Sequence, residues 1–109
     1  MPYNILMEFI ESSTFTRLLP AYLTDDEYLG LQMFLISNPE SGKIIPGSGG
    51  IRKIKWRISG KGKRGGIRVI YYYKRTESEI WLLTIYNKSE KDSIPTQKLL
   101  EIAKEIENE

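Results

Sequence analysis

The chain has no cysteine and no histidine among its 109 residues. The first absence excludes a disulfide framework, a thiolate zinc site and a cysteine nucleophile. The second removes the commonest metal ligand and the usual acid–base group near neutral pH. No apolar run approaches the roughly 20 residues that a membrane span needs. No basic segment leads a hydrophobic one at the start of the sequence. One soluble, cytoplasmic domain over residues 1–109 is therefore expected, with no membrane partner, no cofactor and, by default, no metal, a carboxylate magnesium site being the formal alternative. Hydrophobic residues at 40% and charged residues at 28% lie near a globular average, which argues against disorder.

A third scarcity is local. Residues 41–76 contain no acid and eleven bases: Lys43, Arg52, Lys53, Lys55, Arg57, Lys61, Lys63, Arg64, Arg68, Lys74 and Arg75. Residues 1–40 set Arg17 against six acids, Glu8, Glu11, Asp25, Asp26, Glu27 and Glu40. The three blocks carry net charges of −5, +11 and −4, so the formal +2 conceals a strong segregation. An acid-free basic block concentrates positive potential and points to a polyanion. Nucleic acid is the leading candidate, because each phosphate contact releases counterions. A membrane headgroup surface fits less well, since the block lacks an amphipathic helical pattern. The acidic flanks confine the polyanion to one face and offer a surface to a basic partner.

The apolar run Asn4–Phe9 reads as an N-terminal strand, and Thr14–Tyr22 as a short helix interrupted near Pro20. Thr24-Asp25-Asp26-Glu27 spells a capping box, with Tyr28, Leu31, Phe34 and Leu35 at helical spacing behind it and Asn38-Pro39 as a stop. Glu40–Gly50 reads as a loop. In Ile51–Ile58 the cations Lys53, Lys55 and Arg57 alternate with Ile54, Trp56 and Ile58, a half-buried strand with a cationic outer face. Ser59–Gly66 is a Gly/Lys connector, Ile67–Lys74 a β-branched and aromatic strand, Thr76–Ser78 a turn, and Ile80–Tyr86 a continuous apolar, central strand. Asp92 or Ser93 caps a last helix with Pro95 in its first turn and Leu99, Ile102, Ala103 and Ile106 on one stripe. The expected fold class is α+β, of order β-α-α-β-β-β-α, a twisted and mainly antiparallel sheet with helices packed on one face.

The connector is not a phosphate-cradling loop, because it lacks a Gly-Lys-Ser/Thr ending and no helix follows it. It offers close backbone approach, with Lys61, Lys63 and Arg64 at its tip, while Arg68 follows on a strand and is held more rigidly. Along that strand Arg68, Ile70, Tyr72 and Lys74 share one face, and Val69, Tyr71 and Tyr73 the other. Trp56 and Trp81 read as core residues rather than platforms for bases.

The run Gly60-Lys61-Gly62-Lys63-Arg64-Gly65-Gly66-Ile67-Arg68-Val69-Ile70-Tyr71-Tyr72 is the most specific piece of the sequence. Leu83-Thr84-Ile85-Tyr86-Asn87-Lys88-Ser89-Glu90 is a second, independent one. Together with Phe9–Ser13, Tyr22–Tyr28, Asn38-Pro39 and Gly47–Lys55, they resemble the RelE/HigB-type toxins of bacterial type II toxin–antitoxin modules, most closely a HigB-like branch. The resemblance covers nearly the whole chain. It implies a small twisted sheet with helices on one side. It also implies an mRNA endonuclease (an mRNA interferase) that enters the ribosomal A site and cuts the codon there without a metal. The ribose 2′-OH attacks the adjacent phosphate and leaves a 2′,3′-cyclic phosphate and a 5′-OH. The implied partners are the ribosome, mRNA and a cognate antitoxin, of the helix-turn-helix HigA type in HigB-like modules.

By position, Lys53 and Lys55 match the family's paired strand lysines, which orient RNA and help activate the 2′-OH. Arg68 matches the arginine that clamps the scissile phosphate, and Arg64 is a second clamp candidate in the basic loop. Lys88 and Glu90 occupy the strand end where the family places an acid–base or phosphate-binding group. Arg57, Lys61 and Lys63 are RNA-binding candidates, and Tyr72 or Tyr86 could stack on a base, a contact worth about 1–3 kcal/mol. Several relatives use a histidine near the chain end as general acid and others a C-terminal tyrosine. This chain has no histidine, and Ile94 lies about where that tyrosine would fall. Base and acid must then be Lys, Glu or Tyr, or be absent. The alternative is a non-catalytic nucleic-acid-binding module, or a weakened toxin relative, using the same basic sheet.

Overall fold

Nine successive residues, Glu79–Asn87, form a strand that is apolar at nearly every position, so both of its faces demand cover. The computed structural model describes residues 7–57 and 66–108. Its elements run β1 (Glu8–Glu11), α1 (Ser13–Leu18), a 3₁₀ turn (Leu19–Ala21), α2 (Asp25–Ser37), β2 (Lys43–Ile44), β3 (Arg52–Trp56), β4 (Ile67–Lys74), a 3₁₀ turn (Arg75–Glu77), β5 (Glu79–Asn87) and α3 (Thr96–Glu107). One sheet of order β1-β5-β4-β3-β2 results, with β1 parallel to β5 and every other pair antiparallel. The expected α+β class and mainly antiparallel sheet are observed, and β5 is interior.

The expectation that helices pack on one face needs correction. Ile67, Val69 and Tyr71 of β4 and Ile80, Leu82 and Ile85 of β5 meet Phe15 of α1 and Leu31 and Leu35 of α2 in one core. The alternate residues Ile70 of β4 and Trp81, Leu83 and Tyr86 of β5 meet Leu99, Ile102 and Ile106 of α3 in a second core. The sheet is thus covered by α1 and α2 on one side and by α3 on the other. A strand apolar on both faces cannot leave one of them wet. The ladder between β4 and β5 slips after Ile70, which pairs with Thr84 while Tyr71 pairs with Leu82. Leu83 is the extra residue of this bulge. Buried Ser12 secures the bulge, its hydroxyl donating to the Leu83 carbonyl at 2.7 Å and accepting from the Phe15 N–H at 2.9 Å to cap α1.

Boundaries shift in physically readable ways. β1 reaches Glu11 because it pairs with Glu79–Leu82; residues 4–6 of the expected strand lie outside those described. The loop expected over Glu40–Gly50 contains the two-residue edge strand β2, which pairs with Arg52 and Lys53. The capping box forms as expected, with Glu27 N–H to Thr24 Oγ1 at 3.1 Å and Thr24 N–H to Glu27 Oε1 at 2.8 Å. The last helix starts later than expected: its N-cap is Pro95, with neither Asp92 nor Ser93 capping. The proline's fixed φ suits that boundary. Among the described residues no helix is long and apolar enough to cross a membrane.

Candidate nucleic-acid interface

The side of the sheet that α3 covers is also the side that carries the cations. Ile54 pairs with Val69, and both lie in the α1/α2 core. Their neighbours Lys55 and Arg68, also paired, must therefore lie on the opposite face. Arg68 in turn faces Tyr86 on β5, and Lys53 faces Ile70 one step along. A row Lys55–Arg68–Tyr86 crosses three strands, with Lys53 beside it. Facing residues of this kind sit about 4.5–5.5 Å apart at Cβ. The alternation of Lys53 and Lys55 with Ile54 and Trp56 is as expected, and Trp56 packs toward the first core against Phe34, at 5.4 Å between rings.

Arg68 is the unusual member, because its residue is only 8% exposed. Its guanidinium makes one long hydrogen bond, from Nη1 to the Ile67 carbonyl at 3.4 Å. Among the described residues the one ion pair is Lys74–Glu77, so none of their carboxylates lies within 4 Å of the Arg68 guanidinium. A buried cation left without a counter-charge is costly, and an anion supplied from outside would relieve that cost. Tyr86 lies beside it, almost wholly buried. Burial pushes the Tyr86 phenol up, the Arg68 charge opposes that rise, and Asp92 adds to it.

Two loops position the row. Ser48 Oγ accepts from the Ile51 N–H at 3.0 Å and donates to the Ile45 carbonyl at 2.6 Å, which fixes the entry into β3. Gly66 ends the connector, and its carbonyl accepts from the Lys88 N–H at 2.7 Å. A Cβ on Gly66 would lie 2.8 Å from Asn87 Oδ1. That oxygen also accepts from the Ser89 N–H and hydroxyl, each at 2.9 Å. Neither Ser48 nor Asn87 stands out in the sequence by charge or hydrophobic pattern. The signal for Asn87 was present, since an Asn two residues before a Ser at a strand end favours an Asx turn.

The remaining expected residues divide. Lys88 follows β5 directly and is exposed where the connector rejoins the sheet. Glu90 does not join the cationic row. Its carboxylate accepts from the Tyr22 hydroxyl at 2.6 Å, and Tyr22 packs against the α1/α2 core. That bond, with burial and the Glu90 charge behind it, pushes the Tyr22 phenol up to about 12. Arg57 is exposed just beyond β3. Tyr72 shares the α3 face but lies at the other end of β4 from Arg68. There it tilts against Trp81 at 5.3 Å, and Lys74 Nζ stands 5.1 Å from the Trp81 ring centre. Arg64, Lys61 and Lys63 lie outside the described residues. Among the described residues no three acidic side chains gather closely enough to hold a metal ion.

No protein-family profile matches the chain. Among solved structures, it is similar to an arginine double mutant of the E. coli toxin RelE in the free state, with a TM-score of 0.53 and 14% identity. That likeness covers 95% of this chain and 97% of the other. Identity this low speaks to architecture, and the chain has a RelE-like fold.

Proposed function

We propose that this protein is the toxin of a type II toxin–antitoxin module, of the HigB-like branch, and that it cuts mRNA in the ribosomal A site. The observation that carries the reading is Arg68: a largely buried arginine with no carboxylate within 4 Å among the described residues, flanked by Lys53 and Lys55 on one sheet face. A phosphodiester supplies the missing counter-charge, and a guanidinium matches it with a bidentate fork.

In the proposed step the ribose 2′-oxygen attacks the adjacent phosphorus as its proton passes to solvent water, which also returns the proton that the departing O5′ takes up. The P–O5′ bond breaks, and the departing O5′ takes up a proton. The products are a 2′,3′-cyclic phosphate and a 5′-OH. Arg68 holds the scissile phosphate and stabilises the charge that gathers on the phosphorane oxygens. Lys55, its strand neighbour, and Lys53 orient the ribose and draw the 2′-oxygen toward phosphorus. Lys88 serves the phosphate or the leaving oxygen from the end of β5, and Arg64 is the second clamp. Glu90 acts through position: its bond to Tyr22 ties down the loop that carries Lys88. No metal takes part in this scheme. Arg57, Lys61 and Lys63 attract the RNA backbone, Tyr72 borders its path, and buried Tyr86 backs Arg68 from within the sheet. The cognate antitoxin is of the helix-turn-helix HigA type.

Expression of the chain alone tests the reading. Growth should arrest, a neighbouring antitoxin gene should relieve the arrest, and Arg68→Ala should abolish it while the circular-dichroism spectrum stays folded. One observation favours a second reading. Tyr22 occupies Glu90, and Tyr86 is buried, so the acid–base groups paired along the row beside Arg68 are lysines, Lys53 and Lys55. A catalytically weakened relative would bind nucleic acid in a salt-sensitive manner and cause no arrest.

A further inference from the structure

We propose that the outer face of α2 is a docking surface for a basic amphipathic helix of a partner protein. Helix α2 buries Leu31 and Leu35 against the sheet. On its opposite side Leu29, Met33 and Ile36 stand 55%, 59% and 41% exposed. Their spacing of four and then three residues makes one stripe along the helix. A helix apolar on both its inner and outer sides is one that expects to be covered on both. Next to the stripe lies Gly30, around whose absent Cβ nothing comes within 4 Å. Glycine in a helix interior is unfavourable, and no internal close approach explains this one. The hollow it leaves between Met33 and Phe34 suits an apolar side chain arriving from outside.

Charge decides the occupant. The stripe begins at Asp25, Asp26 and Glu27, in the first turn of α2. These belong to the block of residues 1–40, whose net charge is −5. A second copy of this chain would bring the same acidic face against itself. The last turn of α2 carries no base to receive those acids. Beside that end one cleft is lined by one base and one acid, Arg75 and Glu40, and so carries no net positive charge. A helix with apolar residues at i, i+4 and i+7 and with Lys or Arg in its last turn fits instead. Laid antiparallel on α2, it puts its cations on Asp25 and Asp26. The surface lies across the sheet from Arg68, so docking and RNA cutting are separable.

The test uses the full chain and two labelled 15-residue peptides with leucines at i, i+4 and i+7. One ends in lysines and the other in glutamates. Fluorescence anisotropy should show saturable, micromolar binding of the basic peptide and at least tenfold weaker binding of the acidic one. Met33→Lys should cost the basic peptide at least tenfold with an unchanged circular-dichroism spectrum. Gly30→Ala should raise the melting temperature by about 4 °C yet weaken the peptide, because it fills the hollow. Equal binding of both peptides, no binding of either, or full binding by Met33→Lys would overturn the proposal. So would a wild-type dimer in sedimentation that Met33→Lys converts to monomer, since the second copy would then own the face. RNA cutting is scored separately, so loss of that activity would leave the peptide result to stand by itself.

Discussion

Replacing Arg68 by Met should move stability and activity in opposite directions. The side chain that remains is apolar and of similar length, so the space between Lys55 and Tyr86 stays filled. What disappears is the cation of a residue that is 8% exposed, has no carboxylate within 4 Å among the described residues and makes one hydrogen bond at 3.4 Å. That long bond is worth at most about 0.5 kcal/mol. Removing a buried charge and its repulsion from Lys53 and Lys55 gains more, and exchanges of this kind stabilise by about 1 kcal/mol or more. For a domain near 100 residues that is a rise of about 4 °C in melting temperature. Activity should fall about 10²–10³-fold, the usual loss when one oxyanion-stabilising donor is removed. Thermal denaturation followed by circular dichroism reads the first effect, and the single-turnover cleavage rate of ribosome-bound mRNA reads the second. A fall in melting temperature would mean that Arg68 holds the fold together. An unchanged cleavage rate would remove it from the chemistry. Either result refutes the reasoning, which rests on Arg68 being unneutralised because it awaits a phosphate.

Other consequences are as direct. Lys53→Ala with Lys55→Ala should lower the salt slope of single-stranded RNA binding by about 1.4, near 0.7 for each phosphate no longer neutralised, as read by titrations at several salt concentrations; charge reversal at both should cut the cleavage rate sharply. Gly66→Ala should cost about 1–3 kcal/mol in urea unfolding and slow cleavage, because its Cβ would meet Asn87 Oδ1 at 2.8 Å and displace Lys88. Tyr22 has its phenol raised from 10.0 to about 12 by its bond to Glu90. The protonated form is therefore favoured by folding, and its contribution is fully present below pH 10 and lost as the pH rises toward 12. The stability gap between the wild type and Tyr22→Phe should be constant from pH 7 to 9 and shrink above pH 10, measured as paired denaturant midpoints.

Local patterns carried much of this structure into the sequence. Thr24 and Glu27 announced the start of α2, and Leu99, Ile102 and Ile106 the buried side of α3. The alternation of Lys53, Ile54, Lys55 and Trp56 placed the cations on one face before any pairing was known. The side of the sheet on which each helix lies depends on packing between residues far apart in sequence, such as Leu99 and Ile102 meeting Leu83, and no local period encodes it. The apolar run of β5, interrupted only by Thr84 between Ile80 and Tyr86, was nonetheless a sign that both faces are covered. Two-residue β2 exists only through its partners on β3, so it read as loop. Lys88 and Glu90 stood together in sequence, yet Tyr22, 68 residues from Glu90, draws that carboxylate away from the cationic row. The outer stripe of α2 was hidden because its apolar residues merge in sequence with those of the inner face.

The central claim is that the face of Lys53, Lys55 and Arg68 cuts mRNA held in a ribosome. Primer extension on an mRNA incubated with the purified, antitoxin-free protein tests it most directly, with and without programmed ribosomes. Cuts should appear only when ribosomes are present, be confined to the A-site codon and be lost in Arg68→Ala. No cuts in either condition from folded protein, or cuts that persist in Arg68→Ala, would contradict it.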